Sequence, residues 1–154
     1  MNFQIVFLAD QPHHAEALAG LHDAEWGHLV PQISVETRAK RLVEASGQST
    51  IPTVLIAVDG PTLIGSAALV GQDMDDRPHL SPWLAAVYVR PEYRRQGLAS
   101  RLVSRAEHEA AALGVEMLYL FTEHEERFYG KRGWGLLERA DYHGTSVSVM
   151  SKQL

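Results

Sequence analysis

The chain has no cysteine, which excludes disulfide cross-links, a thiolate nucleophile and any zinc site built on sulfur ligands. Long apolar runs are missing too: none approaches the roughly 20 residues that a membrane-spanning helix needs. Basic residues are a minority, 14 Lys and Arg against 19 Asp and Glu, for a formal net charge of -5, so the chain lacks the overall basic character of a general nucleic-acid binder. No internal repeat, low-complexity tract or linker interrupts it. The opening Met-Asn-Phe-Gln-Ile carries no basic region ahead of an apolar stretch, so no signal peptide is expected and cytoplasmic residence is the default. His13 and His14 are adjacent, with no third ligand nearby in sequence, and no metal site is expected.

What is present is a domain's worth of chain. At 154 residues, one domain covering 1–154 can bury roughly 70% of the surface its unfolded form would expose, and a second would not fit. The pattern predicts a strand at 3–8, then a helix to Trp26 with Asp10 as cap and Pro12 in its first turn. Ser34 is expected to cap a second helix to Ala45. Strands at 53–58 and 63–70 flank an Asp59-Gly60 hairpin turn. A strand at 83–89 and a helix at 98–113 follow, ended by Gly114. A strand at 115–121, a short helix at 125–132 and strands at 134–138 and 146–150 complete the expected α/β order.

The stretch from Leu84 to Ala99, LAAVYVRPEYRRQGLA, is the most informative. Its first half is apolar without polar alternation, as expected of a strand covered on both faces. Pro91 stops the strand. From Leu98 the apolar positions Leu102, Val103, Ala106, Ala110 and Leu113 fall on one helical stripe. Unpaired N–H groups at a helix start bind an anion only where no side chain holds it off, and Gly97 and Ala99 leave that path clear. Residues 90–105 hold five arginines and one glutamate, a local charge of +4 that leaves about -9 for the remainder. A basic turn on an acidic body points to a specific polyanionic ligand.

Arg94-x-x-Gly97-x-Ala99, preceded by Val87-x-Val89-x-Pro91, resembles the acetyl-CoA signature of the GNAT superfamily of N-acetyltransferases. Leu118-Tyr-Leu-Phe121 followed by Phe128-Tyr129-Gly-Lys-Arg-Gly133-Trp134 is similar to that superfamily's next segment, and the likeness in pattern extends over nearly the whole chain. The resemblance implies a mixed central sheet of about seven strands with flanking helices, its strand at 84–89 bulged and splayed from the strand at 115–121. It implies acetyl-CoA as co-substrate, with the pantetheine arm paired along Val87, Tyr88 and Val89. The pyrophosphate would lie on the N–H groups of Arg95, Gln96, Gly97, Leu98, Ala99 and Ser100, with Arg94 or Arg95 adding charge. A backbone N–H of Val87 or a neighbour would donate to the developing oxyanion, and Tyr129 would protonate the departing thiolate. Thr122 stands where the family commonly has asparagine, and Glu125 where it has a small residue. That puts one pantetheine contact in doubt, although the Thr122 hydroxyl retains one hydrogen bond to offer.

No general base is evident on the strand itself. Candidates are Glu25 and His28, Asp73, Asp75, Asp76 and His79 before the central strand, and Glu123 or His124. Because Asp23, Glu25 and the three aspartates mark the acceptor side as acidic, a small cationic primary amine is the expected acceptor, with Trp26 and Trp83 as apolar walls. A peptide or protein amine, a different acyl donor, or a non-catalytic acyl-CoA-binding module are the alternatives. A homodimer is left open.

Overall fold

Where a strand is covered on both faces its sequence loses the polar alternation of a half-exposed one, and the middle of this chain shows the consequence. The computed structural model describes residues 2–154. In chain order the elements are β1 (Gln4–Phe7), α1 (Ala15–Trp26), α2 (Val35–Glu44), β2 (Thr53–Asp59), β3 (Thr62–Val70), β4 (Trp83–Val89), α3 (Leu98–Ala112), β5 (Met117–Thr122), α4 (Glu126–Gly130), β6 (Gly135–Tyr142) and β7 (Thr145–Gln153). The strands form one seven-stranded sheet in the order β1-β2-β3-β4-β5-β7-β6. Every pairing is antiparallel except β4 with β5.

Residues alternate between the two faces of β2, and the layers follow from that. Leu55 and Ala57 join the cluster containing Leu98, Leu102, Val103, Ala106 and Ala110 of α3, whereas Val54, Ile56 and Val58 join the one containing Ala15 and Leu18 of α1. Helices therefore cover both faces. The five α3 side chains are the stripe expected from the sequence, and Leu102, fully buried, would cost about 2–5 kcal/mol if cut back to alanine.

Two irregularities of β4 place the site. Ala68 faces Ala85 and Ser66 faces Tyr88, so β4 takes three steps where β3 takes two, and the extra residue forms a bulge. Ala86 lies in it at φ 54°. On the other side β4 registers with β5 at the single pair Trp83 and Tyr119, after which the strands diverge. Both features agree with the expected bulged, splayed strand.

Elsewhere the boundaries shift. Ser34 caps α2 as expected, accepting from the Thr37 N–H at 3.1 Å. Asp10 does not cap α1: two 3-10 turns, Leu8–Asp10 and Pro12–His14, precede the helix, and the Asp10 carboxylate accepts from Gln48 Nε2 at 2.7 Å. The final hairpin is longer than its apolar core suggests. Arg139, Asp141 and Ser146 hide its pairing in polar sequence, and the chain reverses at His143 and Gly144, both at positive φ.

Candidate active site

Divergence of β4 from β5 leaves a cavity of about 560 Å³ between the two strands, roofed by the end of α1 and by α4. Ala85, Ala86 and Val87 are only half-buried because they face it. The bulge is braced from behind. Ser66, wholly buried on β3, donates its hydroxyl to the Ala86 carbonyl at 2.7 Å, and His22 Nε2 lies 2.9 Å from the same Ser66 oxygen. A serine has one proton and a carbonyl only accepts, so His22 Nε2 must carry the hydrogen of the second bond. Burial foremost, and then the charge of Arg38, push the His22 imidazole down to about 4, so it stays neutral.

At the mouth of the cavity the chain turns from β4 into α3 through a short 3-10 turn, Pro91–Tyr93. Arg95 and Gly97 both take positive φ, 63° and 80°, a sequence of conformations that turns successive amides toward one concavity. A Cβ on Gly97 would meet open space, so the demand for glycine there comes from its φ and from the clear approach to the amides. The first helical bond of α3 runs from Arg101 N to Gly97 O at 3.1 Å, leaving the amides of Leu98, Ala99 and Ser100 without helical acceptors. Leu98 itself is core, and only its backbone reaches the turn.

The two arginines part company. Arg94 lines the cavity, with its Nε donating to the Val89 carbonyl at 2.8 Å and its guanidinium 5.8 Å from the Tyr88 ring centre. Arg95 and Gln96 are exposed outside it. Ser100 accepts from Arg132 Nε at 3.1 Å and ties α3 to the segment after α4. Thr122 lines the cavity, but its hydroxyl oxygen accepts from the Glu125 N–H at 3.0 Å, so it holds the turn into α4. Its proton and one lone pair remain to offer.

Tyr129 is buried, lines the cavity, and packs edge-on to Phe128 and Trp134. Burial first, with the nearby Glu125 carboxylate second, raises its phenol above the usual range, partly offset by Arg132. The hydroxyl keeps its proton at any working pH. Tyr129 thus combines core packing with a place on the cavity wall.

The opposite wall comes from distant segments. Of the base candidates, Glu25, His28, Asp73, Glu123 and His124 line the cavity, whereas Asp75, Asp76 and His79 do not. Asp75 pairs with His143 at 2.9 Å and Asp76 with Arg77 at 3.0 Å, so the acidic run is not one surface facing the acceptor. His28 meets Glu123 at 2.7 Å. Asp73 differs from all of these: it has no ion pair among the described residues, and although the residue is only half-buried, the removal of water from around its carboxyl pushes that group up from 3.8 to about 7. It is held there because Met74 is buried with Trp83, Tyr142, Val147 and Val149, and the Asp75 N–H donates to the Tyr142 hydroxyl at 3.2 Å. Arg77 anchors the same loop to Glu138.

Trp26 lines the cavity, but Trp83 is fully buried core with its indole N–H on the Leu80 carbonyl at 2.7 Å, and is no wall. Sequence reasoning did not single out His22, Ser66 or Tyr142. A histidine on an apolar helix face and a serine inside an apolar strand do form a recognisable pair of buried polar groups needing partners. Among the described residues no group of three or more His, Cys, Asp or Glu could hold a metal ion, and no helix is long and apolar enough to cross a membrane.

A sheet split at its fourth strand, a bulge on that strand and a turn of free amides at the following helix define an acyltransferase-type architecture. The acetyltransferase (GNAT) family profile matches residues 15–134, and the chain belongs to that family. The amino-acid acetyltransferase of Pseudomonas syringae pv. syringae is 37% identical over 51 residues, which are 33% of this chain and 12% of that protein. The aminoglycoside 6'-N-acetyltransferase from Enterococcus faecium superposes with a TM-score of 0.74 at 19% identity, over 99% of this chain and 97% of that one. The PaiA N-acetyltransferase from Thermoplasma acidophilum, solved with coenzyme A, gives 0.71 at 21% identity over 100% of both chains. At these identities the structures establish the fold.

Proposed function

We propose that this chain transfers an acetyl group from acetyl-CoA directly to the primary amine of a small, cationic acceptor. The observation that carries the reading is the convergence, on one cavity, of the β4 bulge, Tyr129 and an unpaired Asp73 whose carboxyl sits near neutrality. The residues fit the co-substrate: free amides and an inward arginine lie at the mouth, and an unpaired strand edge runs along the wall. When bound, acetyl-CoA supplies a thioester carbonyl with a thiol as leaving group. The solved Thermoplasma neighbour holding coenzyme A supports that choice.

The amides from Arg95 to Ser100 hold the pyrophosphate, with Arg94 adding charge from the cavity side. The edge at Val87, Tyr88 and Val89 pairs with the pantetheine arm as an added strand would, and an N–H of Val87 or its neighbour donates to the carbonyl oxygen as it gains charge. Asp73 accepts the proton that the acceptor nitrogen must lose. An amine near pKa 10.4 is almost wholly protonated at pH 7, and a base near 7 is matched to its task there. As the N–C bond forms, the C–S bond breaks with its electron pair on sulfur; Tyr129 donates the proton that makes the free thiol, and the second proton leaving the nitrogen replaces it on the Tyr129 oxygen. Trp26 and Glu25 on the acceptor wall favour a cation. The enzyme is placed in the cytoplasm.

Free thiol release is measured with acetyl-CoA and a panel of a polyamine, an aminoglycoside, a free amino acid and a short peptide. Amine-dependent thiol release with matching N-acetyl product is expected. Binding of acetyl-CoA without turnover on any amine would instead favour a regulatory acyl-CoA module.

A further inference from the structure

The brace behind the bulge has a second end. His22 donates from Nε2 to Ser66, which leaves Nδ1 as a lone-pair acceptor. His22 is buried and lines the cavity, and with Nε2 committed to Ser66 its Nδ1 is the nitrogen left to offer there. Trp26 and Tyr88 flank the imidazole with ring centres 5.2 and 6.3 Å away, and stand 6.1 Å from each other. Three rings thus make a corner beside the bulge, with a hydrogen-bond acceptor at its apex.

At the reacting end of the two substrates the groups differ in kind. A thioester carbonyl only accepts hydrogen bonds, and the amine is the group that carries N–H. We propose, building on the acetyltransferase reading above, that His22 Nδ1 takes one N–H of the incoming primary amine and so positions its nitrogen against the thioester carbonyl held at the bulge. Because the same imidazole is tied through Ser66 to Ala86, the amine is registered to the strand that holds the carbonyl. Attack geometry is then set by two hydrogen bonds within the fold. Trp26, on the cavity wall, adds aromatic surface that attracts the amine while it is still an ammonium. Asp73 removes the proton, a role that His22, held neutral by burial and by Arg38 from α2, does not share.

Two substitutions separate the ends of the imidazole. His22→Gln keeps a donor near the Nε2 position for Ser66 and removes the acceptor at Nδ1, and His22→Asn does the reverse. With the fastest amine of the panel, His22→Gln is expected to raise the acceptor KM roughly ten-fold, leaving the acetyl-CoA KM and the Tm near wild type. His22→Asn is expected to recover most of the acceptor KM and to lose kcat and Tm instead, as the bulge loosens. Neither removes the activity limb that belongs to Asp73. A wild-type acceptor KM in a folded Gln variant would reduce His22 to a brace and overturn the proposal. Should that variant fail to fold, the wild-type protein answers through the ¹⁵N shift of His22 Nδ1 when coenzyme A and the amine are added. A hydrogen bond moves it, and an unmoved resonance overturns the proposal. A wild-type enzyme that releases no thiol with any amine removes the acetyltransferase reading and this inference together, whereas turnover with an unaffected Gln variant removes only the inference.

Discussion

The two walls of the cavity are built by different means. The wall from β4 through the turn into α3 is one continuous stretch of chain, and what it offers a ligand is mostly backbone: the edge at residues 87–89 and the amides of residues 95–100. The facing wall is side chains from four separated places, with His22 and Glu25 on α1, Asp73 in the loop after β3, Glu123 after β5 and Tyr142 at the end of β6. Backbone chemistry requires particular small or positive-φ residues at fixed local spacing and therefore leaves a motif. Side-chain chemistry assembled across 120 residues of chain leaves none.

The sharpest way to break that division is to place a side chain on the backbone wall. Gly97→Glu forces an L residue to φ 80° and sets a carboxylate over the amides. Acetyl-CoA binding by calorimetry is expected to vanish while circular dichroism shows a folded protein, and near-normal affinity would mean the turn is not the phosphate site.

On the facing wall the largest effect belongs to Asp73. Asp73→Asn should lower kcat/KM by roughly 10³-fold at pH 8, within the range for a lost general base, and abolish a rise in activity through about pH 7. The same residue predicts a stability change. A carboxyl raised from 3.8 to about 7 by burial keeps its proton in the folded state after the unfolded chain has lost it. Stability therefore falls as pH rises between those values. Thermal melts at pH 4 and pH 8 should show Asp73→Asn little changed at the lower pH and more stable than wild type at the higher. A variant that keeps the pH-rate limb would return the base to Glu25 or Glu123.

Tyr129, on α4 between the two walls' chemistries, tests whether a residue packed in the core also acts through its side chain. Tyr129→Phe preserves the packing on Phe128 and Trp134 and should slow the chemical step by roughly 10²-fold with donor affinity intact. Wild-type turnover under rate-limiting chemistry would leave it purely structural. The smallest effect is expected at two of the aspartates that the sequence marks as acceptor-side. Asp75→Asn with Asp76→Asn removes two charges that are paired with His143 and Arg77, outside the cavity. Acceptor KM at low salt should stay within about two-fold of wild type, and a large rise would restore the acidic run as the steering surface.

Legibility followed the same division. β4, α3 and the glycine after it could be read directly because each is signalled by neighbours in sequence: an unbroken apolar strand, Pro91, a helical stripe, Gly114. The final hairpin was underestimated because the residues carrying its pairing beyond Glu138 are polar, and ladder bonds do not depend on side-chain type. The Asp10 cap failed because Asp10 found Gln48 instead, a partner 38 positions away.

By itself the sequence determined the wall proposed to hold the donor, because a turn of free amides and an unpaired strand edge are local backbone conformations that need glycine, alanine and proline in order. Tertiary structure alone decided the acceptor half. Asp73 lines the cavity with its carboxyl raised toward neutrality only because its loop is pinned to the β6–β7 hairpin through Met74, Tyr142 and Arg77. His22 acquires a fixed tautomer only because Ser66 and Ala86, on two other strands, dictate where its proton goes. Burial and a hydrogen bond's direction are properties of what surrounds a residue, and the fold brings those surroundings together from segments far apart in the chain.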